Sequence, residues 1–129
     1  MANLLIVENE EILLRAIEDT LSAVGHEVRG VTSGQEALEA LEADPPDLVI
    51  ADVMMPGMTG LQLLEAVHAN PDWESIPFVL ISAKDTLELR QQIAALGAIF
   101  LRKPFDAQML CEAVASGLEY RSPGTDQGL

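Results

Sequence analysis

Polar residues stand directly behind short apolar runs at four places in the chain. Glu8, Asn9 and Glu10 follow Leu4–Val7, Asp52 follows Leu48–Ala51, Ser82 follows Phe78–Ile81, and Lys103 comes two residues after Ile99–Leu101. Gathered at one edge, these groups would suit phosphoryl transfer. Carboxylate and amide oxygens can hold Mg²⁺, which prefers octahedral oxygen coordination and keeps several of its waters. The metal and the lysine ammonium would neutralise charge on the transferring phosphoryl oxygens. Asp52 would then be the nucleophile that forms an acyl phosphate, and the Ser82 hydroxyl could donate to a phosphoryl oxygen. Taken singly, each residue has a plainer explanation. Asp52 could be a turn former at a solvent-facing strand end and Ser82 a helix cap. Lys103 could be a solvated surface lysine. Glu8 and Glu10 suit the first turn of a helix, where the dipole favours negative charge, and Glu10 is assigned mainly to that role. Their joint placement favours the chemistry.

That placement depends on the elements that carry them. Apolar runs at Leu4–Val7, Glu27–Val31, Leu48–Ala51, Phe78–Ile81 and Ile99–Leu101 alternate with stretches of helical period, the rhythm of βα units. The third and fourth runs are continuously apolar, as central parallel strands are; the second alternates polar with apolar and suits an edge. Ile12, Leu13, Ala16, Ile17, Leu21 and Val24 form a stripe at helical spacing, with Glu11, Arg15, Glu18 and Asp19 outward and Gly25 closing the helix. Ser33, Thr59 and Asp106 can cap the second, third and fifth helices. A fourth helix from Thr86 to Leu96 ends at Gly97, a residue suited to a left-handed C-terminal position. Pro45-Pro46 and Pro71 break the chain ahead of the third and fourth strands. Five such units joined by right-handed crossovers predict a doubly wound α/β fold, (βα)5, whose functional crevice lies at the carboxyl ends of its strands.

Three segments resemble those of response-regulator receiver domains in two-component signalling. Ile50-Ala51-Asp52-Val53-Met54-Met55-Pro56-Gly57-Met58-Thr59-Gly60 looks like their phosphoacceptor segment. Leu80-Ile81-Ser82-Ala83 looks like their hydroxyl-alanine segment, and Leu101-Arg102-Lys103-Pro104-Phe105 like their lysine-proline segment. The resemblance runs from about Leu4 to about Leu118 and implies a flavodoxin-like sheet of order 2-1-3-4-5, as in chemotaxis receivers. It implies that Asp52 accepts phosphate from a histidine kinase or phosphotransfer protein, with Mg²⁺ held by Glu8, Asn9, Asp52 and the Met54 backbone carbonyl. Ser82 and Lys103 would contact the phosphoryl group, Phe100 would be the aromatic switch, and a downstream output domain or protein would read the change. Such a chain is a signalling phosphoacceptor with self-catalysed transfer and slow autodephosphorylation, not a metabolic enzyme. Two departures stand out. Asn9 occupies a position where the family usually has aspartate, which weakens the expected metal site, and the stretch from Gly97 to Lys103 is one residue short.

Composition narrows the alternatives. Twenty-one acidic residues against seven basic ones give a net charge of −14, which opposes direct binding to nucleic acid or to an anionic membrane. No basic region precedes the first apolar run and no apolar stretch approaches the ~20 residues of a membrane span, so a cytoplasmic location is expected. Cys111 is the only cysteine, which excludes a disulfide within the chain. His26 and His68 are isolated, and packing is the more ordinary role for His68 than phosphotransfer. A receiver domain over residues 1–121 is expected, with 122–129 a flexible tail or the start of a linker. Two competitors remain: a pseudo-receiver that signals without phosphate, and a phosphohydrolase, although the latter would want Asp-x-Asp where this chain has Met54.

Overall fold

In the computed structural model, which describes residues 2–119, the apolar runs become the five strands of one parallel sheet. The elements are β1 (Asn3–Val7), α1 (Glu11–Ala23), β2 (Glu27–Val31), α2 (Gly34–Ala43), β3 (Leu48–Asp52), α3 (Gly60–His68), β4 (Phe78–Ser82), α4 (Leu87–Ala95), β5 (Ile99–Arg102) and α5 (Ala107–Glu119). Strand order is β2-β1-β3-β4-β5, so chain order reverses between β1 and β3. The alternating second run is an edge, as its pattern requires. The boundary at 121 and the tail at 122–129 lie outside the described residues.

Every residue of β3 and of β4 is buried, because helices cover both faces of the sheet. The pleat sends alternate side chains to opposite sides. Leu5, Val7, Val49, Ala51, Phe78 and Leu80 meet Ala37 and Leu41 of α2, Leu63, Leu64 and Val67 of α3, and Leu89 and Ile93 of α4. Leu4, Ile6, Leu48, Ile50, Val79 and Ile81 meet Leu14, Ile17 and Leu21 of α1 and Leu110 and Val114 of α5. At ~1.5–3 kcal/mol for each fully buried aliphatic side chain, these two layers dominate the stability of the sheet.

Helix starts follow local chemistry. The Ser33 hydroxyl accepts from the Glu36 N–H at 3.1 Å, Thr86 accepts from Leu89 at 3.1 Å, and Asp106 accepts from Met109 at 2.8 Å. Thr59 and Gln62 form a reciprocal capping box on α3. Gly25 and Gly97 take positive φ, 103° and 75°, where a side chain would be strained. His68 is structural: its Nε2 is 2.8 Å from the Ile76 carbonyl and its ring meets Phe78 edge-on.

The stripe expected on α1 is corrected. Ile12 is 88% exposed and Val24 52% exposed, and Ala16 is also exposed, while Leu14 is buried. Ile12, Leu13 and Leu14 are consecutive, so the helix carries more than one apolar row. The row that meets the sheet is the 3–4 spacing Leu14, Ile17, Leu21; Ile12 lies about 200° around the axis from Leu14 at ~100° per residue.

Candidate functional site

Pairing of the central strands sets the site. Val7 is level with Ala51, so Glu8 and Asp52 emerge side by side; Asp52 is level with Ile81, and Ser82 with Arg102. The Lys103 N–H donates to the Ser82 carbonyl at 2.9 Å, which carries the ladder one residue past β5. The following Lys103–Pro104 peptide is cis. Backbone register thus brings Glu8, Asp52, Ser82 and Lys103 to one edge.

Lys103 Nζ lies 2.5 Å from Asp52 Oδ2, 3.8 Å from Glu8 Oε1 and 3.9 Å from Glu10 Oε1. The other Asp52 oxygen, Oδ1, accepts from the Met54 N–H at 2.8 Å. Glu8 Oε2 accepts from the Glu10 N–H at 3.1 Å, whereas the buried Glu8 Oε1 has no hydrogen-bond partner among the described residues. Three carboxylates therefore face one ammonium. Burial, with repulsion from Asp52, lifts the Glu8 carboxyl from 4.5 to about 7 against the opposing pull of the Glu10 N–H and Lys103. Burial alone would lower the Lys103 ammonium, but the hydrogen bond and charge of Asp52, aided by Glu8 and Glu10, raise it above its ordinary value.

Asp52 is only 4% exposed, which corrects the solvent-facing placement expected from sequence. Strand β3 extends one residue further than its apolar run, and α3 is pressed against it: a Cβ on Gly60 would stand 2.5 Å from the Asp52 carbonyl oxygen. Gly60 is the residue the sequence reading passed over, although its place directly behind the capping Thr59 was the available signal. Glu10 also contributes charge beyond its helix-end role. Ser82 is fully buried, and its Oγ accepts from the Lys84 N–H at 3.0 Å. Phe100 is half-buried against the α2–α4 side of the core. Asn9 is exposed beside Glu8, and Met54 is 62% exposed beside Asp52.

The donor set can be tested against a divalent cation. No group of three or more His, Cys, Asp or Glu among the described residues is arranged to hold a metal. The remaining donors nevertheless fit Mg²⁺, which commonly uses one or two carboxylates and completes its shell with water. The orphaned Glu8 Oε1, in excess negative charge, is the feature a cation would satisfy. An open pocket lined by Leu13, Ala83, Lys103, Pro104 and Phe105 borders the site.

Comparison with known proteins gives consistent relatives. The sequence matches the response regulator receiver domain family over residues 4–115. It is 35% identical over 127 residues to the response regulator protein FleR of Pseudomonas aeruginosa, covering 98% of this chain and 26% of that protein. It is 39% identical over 116 residues to the response regulator PleD of Caulobacter vibrioides, covering 89% and 26%. This chain thus spans about a quarter of the length of those relatives. Among solved structures, the Vibrio cholerae chemotaxis protein CheY4 superposes with a TM-score of 0.85 at 30% identity, over 91% of this chain and 98% of that one. A response regulator described as putative, from Chloroflexus aurantiacus, gives 0.86 at 32% identity, over 92% and 98%.

Proposed function

The chain belongs to the response regulator receiver domain family, and from that premise we propose that it is a phosphoacceptor: Asp52 takes a phosphoryl group from a histidine kinase or phosphotransfer protein. The observation that carries this reading is the convergence of Lys103 on Asp52 at 2.5 Å beside a Glu8 oxygen that no hydrogen bond reaches among the described residues.

In the transfer, an Asp52 carboxylate oxygen forms a bond to phosphorus. The bond from phosphorus to the donor histidine nitrogen breaks, and the imidazole leaves with its electron pair and is protonated. Two donors fix the nucleophile: the Met54 backbone N–H holds one oxygen and the Lys103 ammonium the other. Once Asp52 carries phosphate, Lys103 is positioned to neutralise charge on the phosphoryl oxygens. Ser82 Oγ can donate to the same group by turning from its bond with the Lys84 N–H. Bound Mg²⁺, held by Glu8, Asp52, the Met54 carbonyl and water with Asn9 nearby, would supply the remaining charge neutralisation. Phe100 would respond as the switch, shifting an existing equilibrium that an output domain or protein reads.

Named relatives support such an output: one, 33% identical over 119 residues, is the phosphate regulon transcriptional regulatory protein PhoB of Rhizobium meliloti. A net charge of −14 leaves nucleic-acid contact to the output partner. No helix among the described residues is long and apolar enough to cross a membrane, and we place the receiver, taken as residues 1–121, in the cytoplasm.

Incubation with acetyl phosphate and Mg²⁺ should raise the intact mass by one phosphoryl group, and Asp52→Asn should abolish the increase. No increase across a broad range of Mg²⁺ would overturn the reading in favour of a phosphate-independent binding module.

A further inference from the structure

A cluster beside the site, outside the residues that surround Asp52, joins the β4–α4 loop to the face of β5 that carries Phe100 and Arg102. Asp85, in the loop just before the α4 cap, accepts from Arg90 Nε at 2.5 Å and from Arg90 Nη2 at 3.1 Å. Arg102 Nη1 lies 3.8 Å from the same carboxylate. The Arg90 guanidinium also covers the Phe100 ring, with its carbon 4.8 Å from the ring centroid. Phe100 and Arg102 are two apart on β5 and so share a face of the strand. One arginine is therefore fixed by two hydrogen bonds to the loop while lying on the aromatic ring.

The loop has a second anchor. Ser82 Oγ accepts from the Lys84 N–H, one residue before Asp85. If Ser82 turns toward a phosphoryl group, that bond is lost and the Lys84–Asp85 segment is freed at its start. While that bond is made, contacts run without a gap from Ser82 through Lys84 and Asp85 to Arg90 and the Phe100 ring.

We infer that Asp85 and Arg90 are positioning residues that hold the β4–α4 loop and the Phe100 ring in the unphosphorylated arrangement, opposing the rearrangement that phosphorylation of Asp52 favours. This rests on the phosphoacceptor reading above. The bidentate geometry matters, because a guanidinium can make two parallel bonds to a carboxylate and stack on a ring at once, and an ammonium cannot. An exposed cation–π contact with an ion pair biases a two-state equilibrium a few-fold, enough to tune a switch without locking it. The pair is solvent-accessible, so salt should weaken it.

The test uses beryllofluoride with Mg²⁺ as a phosphoryl mimic, with amide NMR of Ala98, Phe100 and Leu101 as the readout. The wild type, Asp85→Ala, Arg90→Ala and Arg90→Lys are compared. Both alanine variants should show free-state peaks displaced toward the bound-state positions and should saturate at roughly twofold to fivefold lower beryllofluoride. Arg90→Lys, which keeps charge but not the bidentate stack, should resemble Arg90→Ala. The free-state peaks of the wild type in ~0.5 M salt should move the same way. Free-state peaks at wild-type positions with unchanged midpoints would overturn the inference and leave the phosphoacceptor reading intact. Failure of the wild type itself to bind beryllofluoride at Asp52 would overturn both.

Discussion

Glu8→Gln should stabilise the metal-free protein at alkaline pH while weakening its hold on Mg²⁺. Glu8 is 1% exposed, and its Oε1 has no hydrogen-bond partner among the described residues. Its carboxyl is lifted from 4.5 to about 7, chiefly by burial and then by Asp52. With the folded pKa above the unfolded one, the folded state holds the extra proton between pH ~4.5 and ~7. Glu8's contribution is therefore favourable at low pH and falls as pH rises through that window. At ~1.4 kcal/mol per pH unit, the charged side chain costs the native state at most about 3.5 kcal/mol above pH ~7. Glutamine removes the charge but brings an amide N–H₂ that needs acceptors, so the expected net gain is ~1–3 kcal/mol at pH 8.5 and near zero at pH 4.5. Urea unfolding of both proteins in EDTA across this range measures it, and the difference between them cancels the background repulsion of the other acidic groups. Mg²⁺ titration should show the opposite sign, with weaker binding by the variant at pH 8.5. A stability difference that is absent at pH 8.5, or that does not grow between pH 4.5 and 7, would refute the argument.

Asn9→Asp should tighten Mg²⁺ binding roughly tenfold to a hundredfold, because it restores formal charge beside Glu8, with part of the Coulomb gain lost to desolvation and repulsion; equal or weaker binding in a titration at matched ionic strength would place Asn9 away from the ion. Lys103→Ala should keep Mg²⁺ binding and slow acetyl-phosphate labelling by about tenfold or more, since the ammonium acts on phosphoryl charge; wild-type labelling kinetics would count against that role. Gly60→Ala should destabilise the fold by ~1–3 kcal/mol and slow labelling, because the new Cβ would meet the Asp52 carbonyl oxygen at 2.5 Å; unchanged unfolding midpoint and kinetics would show that α3 yields freely.

Much of this architecture was legible because strand burial leaves a direct trace in sequence. Continuous runs at Leu48–Ala51 and Phe78–Ile81 can only be covered on both faces, and the polar residue ending each run marks the edge where a site forms. Caps at Ser33, Thr59 and Asp106 were equally local. What depended on packing between distant segments was not legible. The α1 stripe was misread because three adjacent apolar residues offer competing rows, and only the sheet decides that Leu14 faces inward and Ile12 outward. Burial of Asp52 depends on how closely α3 approaches through Gly60, and the unpartnered Glu8 oxygen depends on β1 and β3 standing level. The Arg90–Phe100 contact joins a helix and a strand whose side chains carry no shared period.

The central claim is that Asp52 carries the phosphoryl group, and locating the modification tests it most directly. Borohydride reduces an aspartyl acyl phosphate to homoserine, which marks the residue permanently for tandem mass spectrometry. After treatment of the wild type with acetyl phosphate and Mg²⁺, followed by borohydride, homoserine should appear at position 52 and be absent when Mg²⁺ is chelated. Unmodified aspartate at position 52 in a protein whose mass had risen by a phosphoryl group, or no mass increase at all, would contradict the account.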